Sequence, residues 1–203
     1  MRTRSIAAAL MLAAVPLAAL AAPAEVGQPA PDFTLSDLDG KPVRLADLKG
    51  KIVVLEWFNP GCPYVVASHT RGSLVDAAAR ASKLGVTWLA INSGAPGKQG
   101  AGLEVNRAAR AEWKLAHPIL LDEAGTVGKA YGATNTPHLF VIDAAGKLAY
   151  RGAVDNSPDG ERGAPEGGTL IEYAAVAVAD LLAGRPVKVP STKAYGCGVK
   201  YAK

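Results

Sequence analysis

Clustered positive charge is missing from this chain. No stretch gathers five or more Lys or Arg. The formal net charge of +4 includes Arg2 and Arg4, and without them 20 basic residues face 18 acidic ones. That near balance leaves no electrostatic footprint for nucleic acid. Long apolar runs are also missing beyond the first 20 residues, so no later stretch is long enough to span a bilayer. There is no internal repeat and no sign of a second core, and 203 residues suit one domain. Cysteine is scarce: Cys62 and Cys197 are the only two, 135 residues apart, which allows one disulfide at most. Histidine is nearly as scarce, with His69, His117 and His138.

What is present begins with a leader. Arg2 and Arg4 form a basic n-region, and Ile6 to Leu20 is an apolar run of h-region length interrupted by Pro16. Ala19-Leu20-Ala21 is a small-x-small cleavage site. The run is short of the ~20 residues a membrane anchor needs. The expectation is a periplasmic or secreted protein: residues 1–21 as signal peptide, 22–187 as the folded domain, and 188–203 as a tail carrying Cys197.

Apolar content of 49% against 20% charged residues marks a globular domain. Asp32–Leu35 and Val43–Leu45, around Asp39-Gly40, read as an N-terminal hairpin, and Ala46–Gly50 as one helical turn. Ile52–Phe58 is nearly all apolar, the pattern of a strand buried on both faces. Pro63 opens a helix expected to reach Leu84, with Val66, Leu74, Ala77, Ala78 and Ala81 as its buried face and Gly85 as its stop. Val86–Ile91, Pro118–Leu121, His138–Ile142 and Leu148–Val154 read as strands. Leu103–Leu115 and Thr126–Tyr131 read as helices, and Thr169 as the cap of a last one ending near Leu182. Asp155–Gly168 reads as a mobile loop and Lys188–Lys203 as a tail without periodicity. Strands alternating with helices, closed by an antiparallel pair, give an α/β class with helices on both faces of a mixed sheet.

The chemistry centres on Lys51–His69. Here a strand stops at Asn59-Pro60-Gly61 and presents Cys62 where Pro63 starts a helix. The helix dipole and first-turn N–H groups favour a thiolate over a thiol. Pro60-Gly61 and Pro63 suggest a turn that leaves Cys62 partly exposed; an inert buried cysteine is the alternative. Glu56 is a carboxylate inside an apolar run, so it must be paired, protonated or at an edge. If buried, desolvation would raise its pKa toward neutrality. Cys62, His69 and His138 could converge on a soft metal such as Cu(I), although satisfied or solvated histidines are commoner.

VVLEWFNPGCPYV resembles the first core strand and active-site helix of thioredoxin-fold proteins, with Glu56 at the spacing of that family's buried acid. Thr136-Pro137 and the following HLFVID resemble its cis-proline segment. Gly27–Leu35 is similar to the opening of the alkyl hydroperoxide reductase/thiol-specific antioxidant branch, and Lys193–Tyr201 to the tail of bacterial peroxiredoxin-like redoxins. The resemblance implies a thioredoxin-like three-layer α/β/α sandwich with an N-terminal β-hairpin and a mixed central sheet, and no cofactor. It also implies a cis Pro137 facing Cys62, with Asn59, Pro60, Pro63, Thr136 and Pro137 around the substrate.

The chain departs from both patterns. Val65 stands where thioredoxin has its second cysteine, so a Cys-x-x-Cys exchange is excluded. Leu55 and Asn59 stand where peroxiredoxins carry Pro and Thr. The leading expectation is therefore a thiol–disulfide oxidoreductase with Cys62 as nucleophile, Glu56 as proton acceptor or donor, and Cys197 as resolving thiol. A static Cys62–Cys197 bridge or no pairing are the alternatives for Cys197. Its partner would be a protein dithiol or disulfide, a small thiol or a hydroperoxide, with no nucleic acid and no membrane contact after cleavage. Two other readings are a thiol peroxidase and a non-enzymatic Cu(I)- or protein-binding module.

Overall fold

Nine strands and five α-helices are laid out in chain order in the computed structural model, which describes residues 23–163 and 165–203. The expected leader lies outside them. A seven-stranded sheet runs in the order β2 (Pro42–Arg44), β1 (Thr34–Asp37), β5 (Ile119–Leu121), β4 (Thr87–Asn92), β3 (Val53–Trp57), β7 (His138–Ile142), β8 (Leu148–Gly152). β1 and β2 form the expected antiparallel hairpin, followed by a 3-10 turn at Leu45–Leu48. The sheet is mixed because β3 pairs parallel with β4 and antiparallel with β7.

Both faces of the sheet are covered, which makes the architecture the three-layer α/β/α sandwich. β3 is buried throughout, and its side chains alternate between two cores as strand geometry requires. Val53, Leu55 and Trp57 join Leu89, Ile91 and Phe140 in a core closed by Val127 and Tyr131 of helix α4 (Thr126–Tyr131). Val54 points to the opposite core, with Trp88, Val141, Ala81 of α2 (Ala77–Lys83) and Val178 of α5 (Tyr173–Leu182). A third cluster joins Phe58 and Ala90 to Cys62, Val65 of α1 (Pro63–Thr70) and Ala109 of α3 (Leu103–Glu112). Among the described residues no helix is long and apolar enough to cross a membrane.

The structure differs from the sequence expectations at three tertiary contacts. The single helix from Pro63 to Leu84 is broken into α1 and α2, because Gly72 packs against the Gly160 carbonyl and Ser73 bonds to Asp155. Asp76 then takes a left-handed φ of 58° to restart the helix. Of the expected buried face, Leu74 and Ala81 are buried, while Val66, Ala77 and Ala78 are half-buried. The last helix starts at Tyr173 rather than at Thr169, whose carbonyl accepts from the Asn156 amide. The segment read as a mobile loop is anchored by a buried Asp155, which accepts from Ser73, the Ser157 N–H and Tyr195.

Candidate active site

Strand direction brings the site together. β3 and β7 are antiparallel, with Trp57 opposite His138, so the end of β3 and the start of β7 lie at the same end of the sheet. Cys62 follows β3 and Thr136-Pro137 precedes β7, and the two segments therefore meet. The Thr136-Pro137 peptide bond is cis. The Cys62 Sγ–H donates to the Thr136 carbonyl oxygen at 3.1 Å.

Cys62 is the N-cap of α1, with extended φ/ψ of −85° and 122°, and Pro63 takes the first helical position, where its missing N–H costs nothing. The turn before it is held by Asn59, whose Oδ1 accepts from the Gly61 N–H at 2.8 Å and whose Nδ2 donates to the Gln99 carbonyl at 3.2 Å. Gln99 returns the contact by donating to the Gly61 carbonyl at 2.6 Å. Pro60, between them, is half-buried.

The tail brings the second thiol. β9 (Cys197–Gly198) pairs antiparallel with β6 (Asn135–Thr136), placing Cys197 opposite Thr136. Both cysteines are reduced. Burial pushes the Cys62 thiol up, but this is outweighed by the neighbouring Cys197 thiol and by the Val65 and Cys197 N–H groups. The net direction is down, toward a thiolate. Burial and the adjacent Cys62 push Cys197 the other way, up to about 11, against the pull of Lys200. One sulfur is thus set up to hold the negative charge and the other to hold the proton.

Cys62 is fully buried, not partly exposed as its Pro and Gly flanks suggested. Cys197 is half-buried. The local turn was read correctly; Cys62 is buried within the cluster of Phe58, Val65 and Ala109, against which Cys197, 135 residues away in sequence, also packs.

Glu56 is fully buried and engaged elsewhere. Its Oε1 lies 2.7 Å from His69 Nε2, and its Oε2 accepts from Trp88 Nε1 at 3.0 Å. No hydrogen bond joins it to either cysteine. Burial pushes the carboxyl up, but the charge and hydrogen bond of His69, the charge of His117 and the Trp88 N–H outweigh it and hold Glu56 below the ordinary carboxylate range. The raised value expected of a buried Glu56 is reversed because the site was built with its partners. His69 was the missing piece: it lies on α1, stacked on Trp113 with ring centroids 5.4 Å apart. A carboxylate that must be paired and a histidine on the next helix were both visible in the sequence. Nothing there joined them.

Cys62, His69 and His138 do not form a metal set. His69 is turned to Glu56, and His138 Nδ1 accepts from the Thr134 N–H at 3.4 Å. Among the described residues no group of three His, Cys, Asp or Glu side chains could hold a metal ion.

The sequence profile of the Redoxin family matches residues 25–166. The chain belongs to the redoxin family. Thiol-disulfide oxidoreductase ResA of Geobacillus thermodenitrificans (strain NG80-2) is 35% identical to this redoxin over 130 residues. That match covers 61% of this chain and 66% of the relative's length. An uncharacterized conserved protein of Geobacillus kaustophilus, known from a crystal structure, superposes with a TM-score of 0.77 at 32% identity, over 88% of this redoxin and 93% of that chain. A hypothetical protein of Sinorhizobium meliloti 1021 does so with a TM-score of 0.75 at 27% identity, over 88% and 95% of the two chains.

Proposed function

We propose that this redoxin is a thiol–disulfide oxidoreductase whose exchange pair is Cys62 and Cys197. The observation that carries the reading is the juxtaposition of the two thiols: Cys62 at a helix N-terminus and bonded to the Thr136 carbonyl, with the only other thiol of the chain paired opposite Thr136, beside the cis Pro137. The name and 35% identity of the Geobacillus thermodenitrificans relative support the same chemistry.

The Cys62 thiolate attacks one sulfur of a partner disulfide, forms a mixed disulfide and expels the first partner thiolate. Cys62 then no longer bears the charge that held Cys197 up, while Lys200 still favours its ionised form. The Cys197 thiolate attacks the Cys62 sulfur, closes the Cys62–Cys197 bridge and expels the second partner thiolate. The partner disulfide gains two electrons, the pair loses two, and the two thiol protons pass to the partner. The same steps run in reverse when a partner dithiol reduces the bridge. Thr136, Pro137, Asn59, Pro60 and Pro63 frame the place where a partner is held. Glu56 acts from behind this frame, through His69 and α1, rather than by touching sulfur. Arg2, Arg4 and the Ile6–Leu20 run support export to a compartment where disulfides persist.

The test treats the reduced protein with an oxidised dithiol and, separately, with hydrogen peroxide, and follows both cysteines by mass spectrometry. Fast bridging by the disulfide, with slow reaction to peroxide, is the expected result. Rapid sulfenylation of Cys62 by peroxide would assign a peroxidase instead. Resistance to both reagents would end the redox reading.

A further inference from the structure

The tail lies along the backbone that precedes the cis proline. β6 carries the backbone just before the cis proline, and β9 pairs with it antiparallel, Cys197 opposite Thr136 and Gly198 opposite Asn135. The two make a separate two-stranded ribbon, in which the chain supplies to its own backbone the strand pairing by which extended peptides are commonly held. The segment is held along its length. Tyr195 donates to Asp155 at 2.8 Å, the Asn135 amide donates to the Gly196 carbonyl at 3.1 Å, and the Val199 N–H donates to the Thr134 carbonyl at 3.1 Å. Beyond it, the Ala95 N–H donates to the Lys200 carbonyl and Tyr201 to the Ala133 carbonyl, each at 2.8 Å. Cys62, beneath, is fully buried.

Gly196 shows what this path demands. Its φ is +102°, and a Cβ there would run into the Thr136 carbonyl oxygen and lie 3.2 Å from Pro137 Cδ. Gly196 thus permits the close approach that puts Cys197 against Cys62, while Gly198 has open space around it.

We propose that Tyr195–Val199 is the chain's own stand-in for a partner polypeptide, covering Cys62 until an extended segment with glycine before its cysteine displaces it. The inference rests on the exchange function assigned above and adds the partner's shape. A polypeptide that follows β9 along Asn135–Thr136 meets the same carbonyl at the position of Gly196, so a side chain there is excluded.

The full-length Cys197→Ser chain tests the cover, alone and combined with Gly196→Ala or with Val199→Pro. Gly196→Ala forces the strap off Thr136, and Val199→Pro removes the bond to Thr134. Urea unfolding confirms that each variant keeps its core. The readout is the iodoacetamide alkylation rate of Cys62. Cys62 in Cys197→Ser should react about tenfold or more slowly than in either strap variant, since the rate follows the population of the opened state. Equal and fast rates in all three would overturn the cover while leaving a reactive thiolate. Equal and slow rates would overturn it too, and would remove the redox reading with it.

For the partner, the Cys197→Ser, Val199→Pro chain is mixed with two peptides activated as thionitrobenzoate disulfides, Lys-Ala-Tyr-Gly-Cys-Gly-Val-Lys-Tyr and the same with alanine before cysteine. The glycine peptide should exchange with Cys62 about fivefold faster. Equal rates would overturn the partner assignment.

Discussion

Two segments meet at Thr136, and they are held in opposite ways. β3 and the start of α1 are held by burial: Val53 to Phe58 are at most 1% exposed, and their side chains fill cores on both faces of the sheet. The tail from Pro190 to Tyr201 is nowhere fully buried; it rests Tyr195, Cys197 and Val199 against the cores and adds a chain of directional contacts. The Arg151 N–H donates to the Pro190 carbonyl and the Thr192 N–H to the Arg151 carbonyl, and Tyr195, Cys197, Val199 and Tyr201 each make one anchoring contact beyond. Burial of this kind fails only with the whole fold. A half-buried segment of this kind opens locally at smaller cost. The proposed nucleophile thus sits on the fully buried segment and the proposed second thiol on the half-buried one.

The sharpest break in that comparison is chemical. Cys62→Ser should lower disulfide exchange on the order of a thousand-fold or more, the scale of losing a nucleophile. Cys197→Ser should leave the first attack and stop at a mixed disulfide on Cys62, seen as a persistent mass adduct. Next comes the core. Leu55→Ala, in the middle of β3 and fully buried, should cost about 2–5 kcal/mol in urea unfolding.

A pH titration of stability tests the edge shared by both segments. Burial, with the Arg151 charge adding to it, pushes His138 down to about 4 from its ordinary 6.5. The folded chain therefore holds His138 neutral while the unfolded chain takes up a proton near 6.5. Its contribution is complete above 6.5 and is lost as pH falls from there toward 4, up to about 3 kcal/mol. His117, pushed down to about 4 mainly by burial, adds in the same direction. His138→Leu should flatten this part of the profile, and an unchanged profile would contradict the assignment. The smallest effect belongs to the tail. Tyr201→Phe removes one hydrogen bond to the Ala133 carbonyl and should cost about 1 kcal/mol or less.

The same contrast explains what could be read in advance. Ile52–Phe58 announced a buried strand because burial on both faces leaves an apolar run. Thr126–Tyr131 with Gly132 announced a short helix and its left-handed end, which the structure places at φ 66°. Cys62 at a strand–helix junction was legible as a local pattern, whereas the cis Pro137 was legible only through the resemblance of its segment to the thioredoxin-fold family. The break between α1 and α2 was not, since it depends on Gly160 and Asp155 arriving from a distant loop. The burial of Cys62, the pairing of Glu56 with His69 and the strand at Cys197 also depend on residues far apart in the chain. Two paired residues in an aperiodic tail leave no periodic trace.

The most direct measurement is a redox titration of the full-length protein in glutathione buffers of graded potential, with each point alkylated and mapped by mass spectrometry. The account predicts one reversible bridge within the chain, Cys62 to Cys197, appearing in a single two-electron step. Two free thiols across the whole range, or bridges only between molecules, would contradict it.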